Sequence, residues 1–144
     1  MDSINIREAQ INDIRFIALL CDQLGYSTEI EDLSLRLKKI SDISHHVIFI
    51  AELDHQVVGW IHVYLCPLLI SGFQAQLGGL VVHEDFRCRG IGKELLQQAE
   101  YWARSRGCLY LSVLSNITRI ETHQFYEDLD YQKIKTELVL RKKL

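Results

Sequence analysis

The chain has 144 residues, enough for one hydrophobic core without metals or disulfides. Hydrophobic residues make up 48% and charged residues 24%, with eight glycines and one proline, which excludes collagen-like, low-complexity and wholly disordered chains. A net charge of −3 argues against a generic nucleic-acid binder.

Ile4–Arg7 alternates apolar and polar residues and reads as a first strand. Asn12 or Asp13 can cap a helix running to about Leu24, where Gly25 stops it. Ser27 or Thr28 caps a second helix with Leu33, Leu37 and Ile40 as its apolar stripe. His46–Leu53 and Val57–Leu65 are β-branched runs joined by a tight connection, which predicts a hairpin. Gln74–Val82 is the next strand. Its Leu80-Val81-Val82 run predicts cover on both faces, and Gly78-Gly79 predicts a bulge. Gly90 opens a long helix with Ile91, Leu95, Leu96, Ala99, Trp102 and Ala103 on one side. Leu109–Leu114 is a strand, Thr118 and Glu121 form a capping-box pair for a helix through Leu129, and Tyr131–Leu140 is a final strand. A strand–helix–strand unit over 74–114 requires a parallel pair. The predicted class is α/β (α+β): a single mixed central sheet with helices on both faces, in one domain spanning 1–144.

Charge is unevenly spread. Residues 1–55 carry a local charge of −5 and the remainder +2. The basic segment Arg87–Gly107 in an acidic chain points to a small anionic ligand. Cys21, Cys66, Cys88 and Cys108 show no metal-ligand spacing, and adjacent His45-His46 does not aim two ligands at one ion, so no metal is expected. The start, MDSINIREAQ, lacks the cationic and apolar regions of a leader. The longest apolar stretch, near Val63–Ile70, is too short for a bilayer and holds Pro67. The expectation is a cytoplasmic chain with reduced thiols and no membrane partner.

The chemistry concentrates in LVVHEDFRCRGIGKELL, residues 80–96. Strand, short loop, Gly-x-Gly and helix is the layout of an anion site, because first-turn amides lack internal partners and the helix dipole is positive there. Gly90 and Gly92 let an anion approach the backbone, and Arg87, Arg89 and Lys93 add formal charge. A nucleotide P-loop fails because Glu94 follows Lys93 and the upstream glycine is missing. A dinucleotide fingerprint fails because Leu95 stands where its third glycine belongs.

Arg87-Cys88-Arg89-Gly90-Ile91-Gly92 resembles the R/Q-x-x-G-x-G/A loop of the GCN5-related N-acetyltransferases. Thr122–Tyr131, THQFYEDLDY, resembles that family's A-H-x-F-Y-E-x-L-G-F/Y segment. The resemblance implies an acetyltransferase fold and acetyl-CoA as co-substrate. It implies that the Leu80 amide polarises the thioester carbonyl and that Val82, with Val81 beside it, pairs with the pantetheine arm. The amides of Cys88, Arg89, Gly90, Ile91, Gly92 and Lys93, with Arg87, would wrap the pyrophosphate. Tyr126 would serve the departing sulfur, and Arg119, where the family often has Asn, would contact CoA.

The chain departs from that pattern at Gln76, where many members carry a Glu acting as general base. The base is unassigned: His83, Glu84, His62, Glu52 and Glu29 are the remaining candidates, and bulk water suffices if the amine arrives partly neutral. Cys88 stands where Gly is common and could make the loop oxidisable. Asp130 also replaces a glycine. The expected function is acetyl transfer to a primary amine of a small molecule or peptide. A cationic acceptor fits the acidic residues Asp22, Glu29, Glu31 and Asp32. The alternative is a non-catalytic acyl-CoA-binding sensor or scaffold, which Gln76 favours and Tyr126 opposes. No nucleic-acid partner is expected, and a homodimer is left open.

Overall fold

The β-branched runs form β2 (His46–Leu53) and β3 (Gln56–Leu65), an antiparallel hairpin in which Leu53 faces Gln56 across a two-residue turn. The computed structural model describes residues 3–144; Met1 and Asp2, where the leader argument begins, lie outside the described residues. The chain divides into two compact units, one up to Val113 and one from Leu114 to Leu144.

In the first unit β1 (Asn5–Glu8) pairs with β2, β3 pairs with β4 (Gln74–Val82), and β5 (Tyr110–Ser112) closes the order β1-β2-β3-β4-β5. All pairs are antiparallel except β4 with β5, which is parallel as the strand–helix–strand reading requires. The register slips at His62/Val63 opposite Gly78, so the glycine pair does mark a bulge.

Two helices follow β1. A 3-10 turn at Ile11–Asp13 leads into α1 (Ile14–Leu24), which ends at Gly25 with φ 98°. α2 spans Ile30–Ser41. Its N-cap is Glu29 rather than Ser27 or Thr28, because the Ser27 hydroxyl donates to Asp22 instead. Ile17, Leu20, Cys21 and Leu37 from these helices pack with Ile50, Val57 and Val81 of the sheet, and Trp60 joins them. α3 (Ile91–Ser105) crosses between β4 and β5 and buries all six of its expected core residues. A Cβ at Gly59 would lie 3.1 Å from Leu95 and 3.4 Å from Ile91, so α3 sits close against β3. Arg7 ties β1 to its neighbours through Asp13 (2.8 Å) and Glu52 (3.1 Å), and buried Asp13 also accepts from the Gln10 amide at 2.7 Å.

Several expectations need correction. Only Tyr110–Ser112 of the run Leu109–Leu114 is strand. Val81 is buried, but Leu80 and Val82 are only half-buried, so the end of β4 is not sealed on both faces. In the second unit α4 (Ile120–Asp128) has Arg119 at its N-cap with no side-chain cap. Thr118 bonds to the Asn116 side chain instead, so the capping box does not form. Residues 131–140 form no strand, because alternation supplies two faces and a strand also needs a ladder.

Candidate active site

β4 delivers the chain to the basic loop. His83 caps a 3-10 turn at Glu84–Phe86, its Nδ1 accepting from the Asp85 amide at 3.1 Å. Cys88 has φ 62°, a left-handed conformation that favours glycine, and Gly90 has φ 82° at the N-cap of α3. The first intrahelical bond runs from the Glu94 amide to the Gly90 carbonyl. The amides of Ile91, Gly92 and Lys93 therefore have no acceptor within the helix. A Cβ on Gly90 would meet nothing within 4 Å, so the space over this terminus is open.

The three bases are held differently. Arg87 Nε donates to the Val82 carbonyl at 3.2 Å, fastening the loop to the end of β4. The Arg89 guanidinium lies over the Phe86 ring, 5.2 Å from its centroid. Lys93 is exposed on the first turn of α3. Ile91 and Val81 bury their side chains in the core, so each offers a ligand only its backbone. Leu80 precedes Val81 and faces Ile61 across the β3–β4 ladder. Leu80, Val81 and Val82 are thus continuous with Arg87–Lys93, one strand end feeding one helix start.

Arg119 and Tyr126 belong to the second unit. Burial pushes the Tyr126 phenol up to about 12, with Arg119 pulling the other way. The Tyr126 ring packs edge-on against Phe125 and Tyr131. Asp130, the second glycine replacement, has φ 71°, a conformation that Asp tolerates better than most residues.

The candidate bases separate on geometry. Glu52 is engaged by Arg7, and His83 is held as a cap. Glu84 is exposed, and Glu29 lines a cleft of about 490 Å³ with Asp22, Ser27, Thr28, Asp32 and Arg36. Gln76 faces Tyr64 across the ladder, and burial raises the Tyr64 phenol while Gln76 pulls it the other way. His62 approaches His46 at 2.9 Å between Nε2 and Nδ1. Burial holds His62 down at about 4, and burial also lowers His46. Sequence spacing alone places neither His46 nor Tyr64 in the site. The available signal was position: His46 opposes Tyr64, and His62 lies two residues before Tyr64 on the same strand. No group of three metal-ligating residues converges among the described residues.

The Acetyltransferase (GNAT) family matches residues 12–131. The chain belongs to this family, and it is an acetyltransferase. The aminoglycoside N(6')-acetyltransferase type 1 of Serratia marcescens is 25% identical over 119 residues, covering 79% of this chain and 82% of that protein. Among solved structures, the aminoglycoside N-acetyltransferase AAC(6')-Iy in complex with CoA superposes with TM-score 0.88 at 18% identity, over 100% of this chain and 97% of that one. A transcriptional regulator from Bacillus halodurans C-125 gives TM-score 0.88 at 24% identity, over 97% and 100%. These structures share the GNAT fold with this chain.

Proposed function

We propose that the chain transfers the acetyl group of acetyl-CoA to a primary amine of a cationic small molecule or peptide. The observation that carries this is the open, Gly90-capped start of α3. Three amides without helix acceptors lie there, with Arg87 and Arg89 on the loop that leads in and Lys93 on the first turn. The residues fit a pyrophosphate: the amides and dipole favour an anion, and no side chain fills the space over Gly90. The matched region 12–131 spans both compact units, which supports their acting as one acetyltransferase domain over 1–144.

The amine attacks the thioester carbon, and charge develops on its oxygen. A fixed donor such as the Leu80 amide is worth roughly 2.7–4 kcal/mol in comparable sites. The C–S bond then breaks and CoA leaves as a thiolate. With its phenol pushed up to about 12, Tyr126 is a poor acid for a thiolate whose conjugate acid has a pKa of about 8.5. Its role is a hydrogen bond to the sulfur, with the proton completing its journey from solvent.

For the acceptor, the cleft lined by Asp22, Glu29 and Asp32 supports a cation, with Arg36 partly offsetting their charge. The aminoglycoside acetyltransferases among the relatives, one of them solved with a CoA-acetylneamine bisubstrate analogue, support a polyamine-like or aminosugar acceptor. A non-catalytic acyl-CoA sensor is the second reading, and Gln76 in place of a carboxylate favours it. Two measurements decide. CoA should raise the melting temperature of the parent, as a ligand of the native state must. Gly90→Asp should abolish that rise, because it puts a carboxylate into the cradle at a left-handed position. Unchanged CoA binding by Gly90→Asp would move the cofactor site elsewhere. CoA release over a panel of polyamines, aminoglycosides, amino acids and peptides then separates enzyme from sensor: turnover with none leaves the sensor.

A further inference from the structure

We infer that His62 takes the proton of the attacking amine at Nδ1 and passes the charge through Nε2 to His46, so that this imidazole pair replaces the carboxylate missing at Gln76. The inference deepens the acetyl-transfer reading and rests on it. Its observations lie on one face of the β2–β3–β4 ladder.

His62 is on β3, one position along from Ile61, which faces Leu80. Its own ladder partner is Gly79, and its ring lies over Gly78. A Cβ at Gly78 would stand 2.6 Å from His62 Nδ1, and one at Gly79 would stand 2.8 Å from the Trp60 ring. The two glycines therefore clear side chains from the strand where these rings lie, immediately before the Leu80 amide. No hydrogen bond from a described residue occupies His62 Nδ1. Trp60, two residues earlier on the same strand, has a buried Nε1 donor with no partner. A buried indole N–H without an acceptor is costly and points to a polar group that arrives with a ligand. A free imidazole nitrogen and an unpaired donor thus flank a stretch of bare backbone next to the implied acyl position.

The other nitrogen of His62 is engaged. Nε2 lies 2.9 Å from His46 Nδ1, and the His46 ring stacks on Tyr64 at 5.0 Å with a 13° interplanar angle. Tyr64 in turn faces Gln76 across the ladder. Gln76 therefore does not stand alone at the family's base position. It stands at one end of a row of neighbours, pairing with Tyr64 across the ladder, Tyr64 stacking on His46 and His46 meeting His62. With the proton on His62 Nε2 donated to His46 Nδ1, the His62 Nδ1 lone pair is left to accept.

The step balances. The amine nitrogen forms a bond to the acyl carbon, and the C–S bond breaks with its electron pair on sulfur. The amine proton goes to His62 Nδ1. The Nε2 proton moves to His46 Nδ1, and His46 releases its own Nε2 proton to solvent. Both rings start neutral near pH 7, because burial lowers each; the same burial makes His62 a weak base, so its uptake of the amine proton is coupled to release through His46 to solvent. The titratable groups acting on the chain are His45 beside His46 and Cys66 beside Tyr64. Glu8 and Arg106 line the cavity that His46 also borders.

The test uses the full chain, the best amine from the CoA-release panel, and kcat/KM across the acid and neutral range. His62→Gln should lower kcat/KM roughly 10²-fold or more and remove the pair's acid limb, with CoA affinity unchanged. His46→Gln should cost less and move that limb rather than abolish it. A second readout needs no turnover: imidazole 15N shifts of the unmodified protein should show His62 protonated at Nε2 and bare at Nδ1. A parental pH profile in folded, CoA-binding His62→Gln overturns the inference while acetyl transfer stands. A proton fixed on His62 Nδ1 overturns it as well. CoA binding by the parent with transfer to no amine sinks the catalytic reading and this inference together.

Discussion

Single side chains decide most of the chemistry, and Tyr126 shows how context reassigns one. A free phenol is only mildly too weak an acid for a thiolate. Burial widens the gap to several pH units, so full proton transfer becomes uphill by about 5 kcal/mol. In the proposed reaction Tyr126 would instead supply a hydrogen bond to developing negative charge, a contact of a kind worth about 1.5–3 kcal/mol. Tyr126→Phe should then lower kcat roughly 10- to 10²-fold, leaving CoA affinity nearly unchanged. Steady-state rates on the best amine, with CoA titration alongside, check this. Equal kcat in both forms, with product release shown not to limit, removes Tyr126 from the reaction. The pattern THQFYEDLDY pointed to this tyrosine, but its acidity was not legible there. Acidity depends on what surrounds the ring, which sequence spacing does not encode. The same holds for His46 and His62, whose 2.9 Å contact exists only because the β2–β3 ladder puts His46 beside the strand that carries His62.

Elements were legible where periodicity and burial coincide. The α3 stripe from Ile91 to Ala103 and the strands His46–Leu53 and Gln74–Val82 follow directly from apolar spacing. Termini were less legible, because polar side chains there have several acceptors to choose from; Ser27 and Thr118 each bond elsewhere and leave their helices uncapped. Alternation over 131–140 reads as a strand, yet a strand exists only with a neighbour to pair with. The β2–β3 turn carries a cost the sequence hides. Asp54 and His55 have φ 49° and 64°, the paired positive values of a type I′ turn. Left-handed backbone costs roughly 1–2 kcal/mol at a non-glycine residue, less for Asp. Replacing Asp54-His55 by Asn-Gly should therefore stabilise the protein by about 1 kcal/mol and raise the melting temperature by a few degrees. Calorimetry reads the shift, and an unchanged or lower midpoint would mean that the turn is not strained. Acetyl transfer should be untouched, since neither residue belongs to the loop, the ladder chain or the acidic cleft.

At the scale of the whole molecule, two groups far apart in sequence give stability the same dependence on acid. His62 has its folded pKa pushed down to about 4, below its ordinary value of 6.5. Between those values the unfolded chain binds a proton that the folded chain refuses, so stability falls as pH falls through that window. Below the folded value both states are protonated, and this contribution to the loss is complete. The size is on the order of 3 kcal/mol. Asp13 acts at lower pH. Its hydrogen bonds from Arg7 hold its folded pKa below the ordinary 3.8, although burial works against them. Its contribution is present above the unfolded value and is lost as pH falls through the folded one. The two losses follow one another, His62 first on acidification and Asp13 second, and they add because the groups share no partner. Chemical denaturation at a series of acid pH values should show a midpoint that declines from just below neutral pH and declines again below the Asp13 unfolded value. His62→Gln should weaken the first decline, leaving the part that His46, also lowered by burial, contributes, and leave the second untouched. Asp13→Asn should weaken the second and leave the first. A first decline that persists undiminished in His62→Gln would assign it to another group and would show that His62 titrates in the folded protein much as it does in the unfolded chain.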